Sequence, residues 1–161
     1  MWEIVPRLYL GTKGDAKNTE LLHEAGVTHI VNCAAEVEGI PTNSFEYLQL
    51  GLNDPDYEFG AKLDSALAFI DGGREHGKVL VHCTGAISRS PATILAYLCH
   101  TGLTLDEAVQ TMRKVTQTRP NGIFIRQICA YFKIHATDDD ISMIIDRLGT
   151  RTKGEDDQGG A

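Results

Sequence analysis

Val79-Leu80-Val81-His82-Cys83-Thr84-Gly85-Ala86-Ile87-Ser88-Arg89-Ser90-Pro91 is the stretch on which the fold of this chain turns. Val79 to Val81 is a short apolar run rich in β-branched residues, the pattern of a strand buried on both faces of a parallel sheet. Ser90-Pro91 opens Ala92-Thr93-Ile94-Leu95-Ala96-Tyr97-Leu98, which reads as a helix with proline in its first turn. Between strand and helix stand a cysteine, five residues and an arginine. A strand that feeds a helix through a tight turn binds anions, because backbone N–H groups converge there and the helix N-terminus adds partial positive charge. Cys83 is expected at the base of such a cradle and Arg89 at its rim.

The chemistry follows from the residue types. A ring of N–H dipoles favours the thiolate of a cysteine set among them. A thiolate is a competent nucleophile at neutral pH. The same dipoles hold a phosphate, and an arginine grips two of its oxygens. As charge shifts in the transition state these donors are already in place. Thr84, Gly85, Ala86, Ile87, Ser88 and Arg89 are therefore expected to bind a phosphoryl group, Cys83 to accept it, and water to release it. Taken alone, Cys83 reads as a core cysteine; Arg89, Ser90 and the strand–loop–helix setting reverse that.

His82-Cys83, five residues, then Arg89-Ser90 resemble the signature of the cysteine-dependent protein phosphatases, most of all a compact, atypical member of their dual-specificity branch. Glu3-Ile4-Val5-Pro6-Arg7-Leu8-Tyr9-Leu10-Gly11 is similar to the opening of that catalytic domain, and Gly26-Val27-Thr28-His29-Ile30-Val31-Asn32 to its next strand. Arg119-Pro120-Asn121 with Phe124 and Gln127 is similar to its closing motif, so the likeness runs from Trp2 to Phe132. The resemblance implies that His82 orients the loop, Ser90 helps the sulfur leave, and Asn121 buttresses the loop. It implies phosphoprotein substrates carrying phosphotyrosine, phosphoserine or phosphothreonine, with no metal and no cofactor. One departure stands out. The family usually has glycine three residues after the cysteine, where this chain has Ala86. A positive φ there costs an alanine about 1 kcal/mol or more. That residue supports the alternative of a phosphopeptide-binding module with little turnover. A sulfurtransferase loop is a further alternative, which the upstream acid and the closing motif fit poorly.

Cleaving a phosphate ester leaves a basic oxygen, so a placed acid lowers the barrier. The family takes that acid from a loop ahead of the signature. Leu52-Asn53-Asp54-Pro55-Asp56-Tyr57-Glu58-Phe59 has loop composition, and Asp54 is the expected acid, with Asp56 and Glu58 as substitutes.

The remaining chain suits this frame. At 161 residues and 42% hydrophobic it is expected to form one α/β domain over residues 1–148. The expected sheet is mixed, mostly parallel and of about five strands, flanked by helices on both faces. Leu63, Ala66, Leu67 and Ile70 form one helical stripe, and Thr104-Leu105-Asp106-Glu107 is a capping box. Gly26 reads as a helix stop, Lys13 to Asn18 as a loop, and Phe124, Ile128, Tyr131 and Phe132 as an apolar face. Ala34 to Asn43 reads as a surface connection with no distinctive site residue. Asp138-Asp139-Asp140 precedes an expected helix over Ile141 to Leu148, and residues 149–161 read as a disordered tail. A net charge of −7 disfavours nucleic acid and anionic membranes as partners. No apolar run approaches a membrane span, and Trp2-Glu3-Ile4-Val5-Pro6-Arg7 does not resemble a signal peptide. Four cysteines without paired spacing argue against disulfides and zinc, and cytoplasm, with the nucleus also open, is the expected compartment.

Overall fold

A computed structural model describes residues 1–39 and 43–151. Strand β1 (Trp2–Val5) turns through Pro6 and Arg7 into β2 (Leu8–Gly11), its antiparallel neighbour. The other strands are β3 (His29–Ala34), β4 (Glu46–Leu52) and β5 (Val79–His82). They form one five-stranded sheet in the order β1-β2-β5-β3-β4, parallel except at β1. The mixed, mostly parallel sheet expected from the sequence is the one observed. β5 lies between β2 and β3, and Gly11, His82 and Asn32 stand side by side across the three strands at their C-terminal ends.

Side-chain alternation divides the strands between two cores. Leu8, Leu10, Val31, Val79 and Val81 join the larger core, beneath α3 (Phe59–His76), α4 (Arg89–His100), α5 (Leu105–Arg113), α6 (Gly122–Tyr131) and α7 (Asp138–Leu148). Ile30 and Leu80 point the other way, against Ala16 of α1 (Lys13–Lys17) and Leu22 of α2 (Thr19–Ala25). Helices on both faces explain why β5 has no polar face to offer: all four of its residues are buried. Helix α4 is buried from Ser90 to Cys99, so the helix that follows the signature loop is fixed on all sides.

The α3 stripe of Leu63, Ala66, Leu67 and Ile70 is buried, the Thr104–Glu107 box is formed, and Gly26 ends α2 in the left-handed region at φ 79°. Three expectations need correction. Lys13–Lys17 is a short helix, because Thr12 and Asp15 form a capping box across its first turn. Helix α7 begins at Asp138, because Thr137 supplies another capping box and brings all three aspartates into the first turn. Tyr131 is exposed, its hydroxyl bonded to Asp64 on α3 instead of buried with Phe124 and Ile128. Most of the expected tail, from residue 152 on, lies outside the described residues. No helix among the described residues is long and apolar enough to cross a membrane.

Candidate active site

The loop from Cys83 to Ser88 leaves the C-terminal end of β5 and enters α4 at Arg89. Cys83 is 3% exposed, and the Ser90 hydroxyl donates to its Sγ at 3.1 Å. Among the described residues, none of the backbone N–H groups from Thr84 to Ser90 donates to a protein acceptor. This run of unpaired donors in the loop that follows a buried thiol is available to an anion. Ala86 holds φ 59° and is buried, so the loop takes a left-handed turn while retaining a Cβ. His82 donates from Nδ1 to the Cys83 carbonyl at 3.1 Å, and burial pushes its imidazole down from the ordinary value, which keeps it neutral. The loop is anchored elsewhere by Lys13 N–H to Thr84 O and Arg119 N–H to Ile87 O.

Arg89 is held from the side opposite its Nε–H. Nη1 donates to Glu36 Oε2 at 2.5 Å and to the Leu52 carbonyl at 3.0 Å, while Nη2 donates to Glu36 Oε1 at 2.5 Å. Its Nε–H has no acceptor among the described residues. The Thr84 hydroxyl adds a 2.7 Å bond to Glu36. The Arg89 guanidinium, then the Thr84 hydroxyl, push the Glu36 carboxyl down to about 2. Glu36 in turn raises Arg89, although burial opposes it. Glu36 is placed by Asn32, which is fully buried within β3. Asn32 Nδ2 donates to Val37 O at 2.6 Å and to Gln49 Oε1 at 2.9 Å, and its Oδ1 accepts from Ala34 N–H at 3.0 Å. A buried amide with its donors and acceptor engaged folds the turn that carries Glu36.

The acid loop distinguishes its three carboxylates. Asp54 lines the same cleft as Cys83, and its Oδ1 accepts from the Ser88 hydroxyl at 3.1 Å. That hydroxyl accepts in turn from the Asn121 N–H at 2.9 Å. Asp56 is buried and uses both oxygens on backbone, Oδ2 from Asn53 N–H and Oδ1 from Glu58 N–H. Those bonds, the Asn53 one foremost, lower its carboxyl, so it braces the loop as an ion. Glu58 is exposed and does not line the cleft. Gln127 fastens the same loop from α6, donating to Asp56 O at 2.8 Å and accepting from Gly60 N–H at 2.7 Å. Phe124 packs edge-on against Phe59 beside it, with centroids 5.0 Å apart.

The cleft has a volume of about 590 Å3, with Cys83, Gly85, Ile87, Ser88 and Arg89 on the loop side. The structure brings Cys83, Arg89, Asp54, Ser88 and Ser90 together. Asn121 contributes through its N–H, while its side chain caps α6 by accepting from Ile123 N–H. Sequence reasoning missed Glu36, placed in a connection thought to hold no site residue, and the cleft position of Arg119 and Ile145. Glu36 stands two residues past the end of β3, the strand that carries the buried Asn32, and no local pattern marks it. Cys33 is core as expected: burial pushes its thiol up to about 12. The described residues contain no cluster of three or more metal-ligating side chains.

A fold of this topology with a Cys–loop–Arg cradle defines a cysteine-dependent phosphatase domain. Residues 8–134 match the family model of the dual specificity phosphatase catalytic domain, and the chain belongs to that family. It is 39% identical over 137 residues to human protein phosphatase Slingshot homolog 3, a match covering 80% of this chain and 20% of that protein. The crystal structure of human DUSP28 superposes with a TM-score of 0.77 at 31% identity, covering 83% of this chain and 96% of that one. A mouse putative dual specificity phosphatase complexed with zinc tungstate gives a TM-score of 0.77 at 31% identity, covering 82% and 86%. This chain spans a fifth or less of the length of the curated relatives it matches.

Proposed function

We propose that this chain is a protein phosphatase hydrolysing phosphotyrosine, phosphoserine and phosphothreonine through a phospho-cysteine intermediate. The observation that carries this is the buried Cys83 thiol beneath the unpaired amides of Thr84 to Ser90, with Arg89 at the rim. The amides and the Arg89 Nε–H bind the three phosphoryl oxygens, and Cys83 attacks phosphorus in line with the ester oxygen. As the P–O bond breaks, Asp54 gives its proton to the leaving oxygen. Water then attacks the phospho-cysteine, Asp54 takes back a proton, and the sulfur departs with the Ser90 hydroxyl already pointed at it. His82 fixes the Cys83 carbonyl, and Asn121 and Ser88 tie the acid to the loop. The cradle is shaped for an oxyanion, and the related mouse protein is one whose crystals contain tungstate, a tetrahedral oxyanion.

A loop of Thr84, Gly85, Ala86 and Ile87 brings no added positive charge, which favours phosphoprotein over polyanionic lipids or RNA ends. The binding-only alternative rested on Ala86, and that residue accommodates the turn at φ 59° without opening the cradle. The chemistry needs a free thiol, so a reducing compartment such as the cytoplasm or nucleus is proposed. Hydrolysis of an aryl phosphate across roughly pH 5 to 8, by wild type and Cys83→Ser, tests the reading. Turnover abolished by the substitution supports it, and absence of turnover in reduced wild type overturns it.

A further inference from the structure

We infer that Arg119 forms an anion subsite next to the cradle and takes a second negatively charged side chain, phosphate or carboxylate, on the substrate polypeptide. The inference rests on the phosphoprotein reading above. Arg119 belongs to the connection between α5 and α6, and this connection is tied on both sides. Thr118 N–H donates to Leu148 O at the end of α7 at 3.1 Å, and Arg119 N–H donates to Ile87 O in the signature loop at 2.8 Å. Its backbone is therefore fixed relative to the phosphate cradle, while its side chain stands exposed along the same cleft as Cys83, Asp54 and Arg89.

Charge bookkeeping singles this side chain out. Arg7, Arg74, Arg89, Arg113, Arg126 and Arg147 each donate to a protein oxygen. Among the described residues the side chains of Arg119 and Arg151 donate to none, and of these two only Arg119 lines the cleft. Within the cleft, the charge of Arg89 is matched by Glu36, and Asp54, the single lining carboxylate among the described residues, is bonded to Ser88. Arg119 is thus the uncompensated cation of the cleft, in a chain of net charge −7. The cleft, at about 590 Å3, offers far more room than one phosphoryl group fills, and Pro120 and Ile145 also line it. A planar guanidinium at that position matches carboxylate or phosphate oxygens in a two-pronged fashion.

The test uses full-chain Cys83→Ser protein and labelled phosphotyrosine peptides, otherwise uncharged, with one glutamate or one phosphoserine moved through the neighbouring positions. Binding is read by fluorescence anisotropy. At one position, or two adjacent ones, glutamate is expected to tighten binding about two- to five-fold and phosphoserine about ten-fold. Adding Arg119→Ala should remove this ratio, Arg119→Glu should turn it into a preference for lysine, and raising salt should shrink it. An acidic preference that is absent, or that survives Arg119→Ala, overturns the subsite while aryl phosphate hydrolysis by the Cys83 protein still upholds the phosphatase. The preference without hydrolysis would do the reverse, and peptides that bind at no position, together with no aryl phosphate hydrolysis, overturn both.

Discussion

Replacing Glu36 by glutamine perturbs the one salt bridge that the signature arginine makes among the described residues. The Arg89 side chain is only 11% exposed, whereas Glu36 is 54% exposed, so the two ends of the pair carry different weight. On the carboxylate side, the fall from an ordinary 4.5 to about 2 overstates stability, because solvent screens an exposed charge. Such pairs are worth at most about 1 kcal/mol. On the arginine side, glutamine keeps one acceptor but turns an N–H2 toward the guanidinium, leaving a largely buried cation short of a partner. Removing a partner from a buried polar group costs about 1–3 kcal/mol, so a net loss of about 1–2 kcal/mol is expected. For a domain of this size that lowers the melting temperature by about 2–8 °C.

The effect on catalysis is separable from stability. Glu36 and Leu52 O occupy the Nη edge of Arg89 and leave the Nε–H for phosphate. A guanidinium released from that edge is expected to cost about ten-fold in kcat/KM on an aryl phosphate, equivalent to about 1.4 kcal/mol. The sign of the pH dependence follows from the depressed carboxyl: the contribution of Glu36 is complete above pH 4.5 and is lost as the pH falls toward 2. Between roughly pH 5 and 8 the wild-type to Glu36→Gln difference in stability should therefore be flat as far as Glu36 is concerned. If Glu36→Gln matches or exceeds wild type in kcat/KM, Glu36 competes with phosphate for Arg89, and the positioning argument is refuted.

Other outcomes follow from the same geometry. Asp54→Asn should slow hydrolysis of esters with poor leaving groups by about 100-fold or more while sparing good ones; equal losses on both would remove Asp54 as the acid. Asp56→Asn should instead destabilise the fold by about 1–3 kcal/mol in denaturant titrations, since both its oxygens accept backbone N–H groups. The Asp56 contribution is present above the ordinary carboxyl range and fades only as the pH drops below it. Ser90→Ala should slow release of the phospho-cysteine more than its formation, seen as a larger burst of aryl alcohol, and an unchanged burst would count against that role. Ala86→Gly should be nearly neutral in melting temperature. Relief of about 1–2 kcal/mol of left-handed strain is offset by a lost buried methyl worth about 0.8 kcal/mol and by unfolded-state entropy of about 0.4–1 kcal/mol. A gain above about 2 kcal/mol would mean the strain is larger than φ 59° implies.

Legibility tracked distance along the chain. The α3 stripe, the Thr104 and Gly26 caps and the strand–loop–helix of the signature are each written within a few neighbouring residues, and each formed as expected. Lys13–Lys17 escaped notice because one polar helical turn has no hydrophobic period, only a cap. Tyr131 fits an apolar spacing, yet its hydroxyl found an acid on α3, in a contact 67 residues away. Asp54 and Asp56 are alike in composition and neighbourhood. They separate only when backbone donors are seen to enclose one and the Ser88 hydroxyl to meet the other.

By itself, then, the sequence determined an α/β fold, the signature loop between β5 and α4, and the arginine at its end, because strand period, proline and loop composition act locally. Tertiary structure alone decided that Glu36 and Arg89, 53 residues apart, share a salt bridge. That pairing exists because β3 lies directly beside β5, and Asn32, level with His82 in the register, folds the next turn back over the loop. Sheet order and the satisfaction of a buried amide are properties of the assembled chain, and no local pattern encodes them.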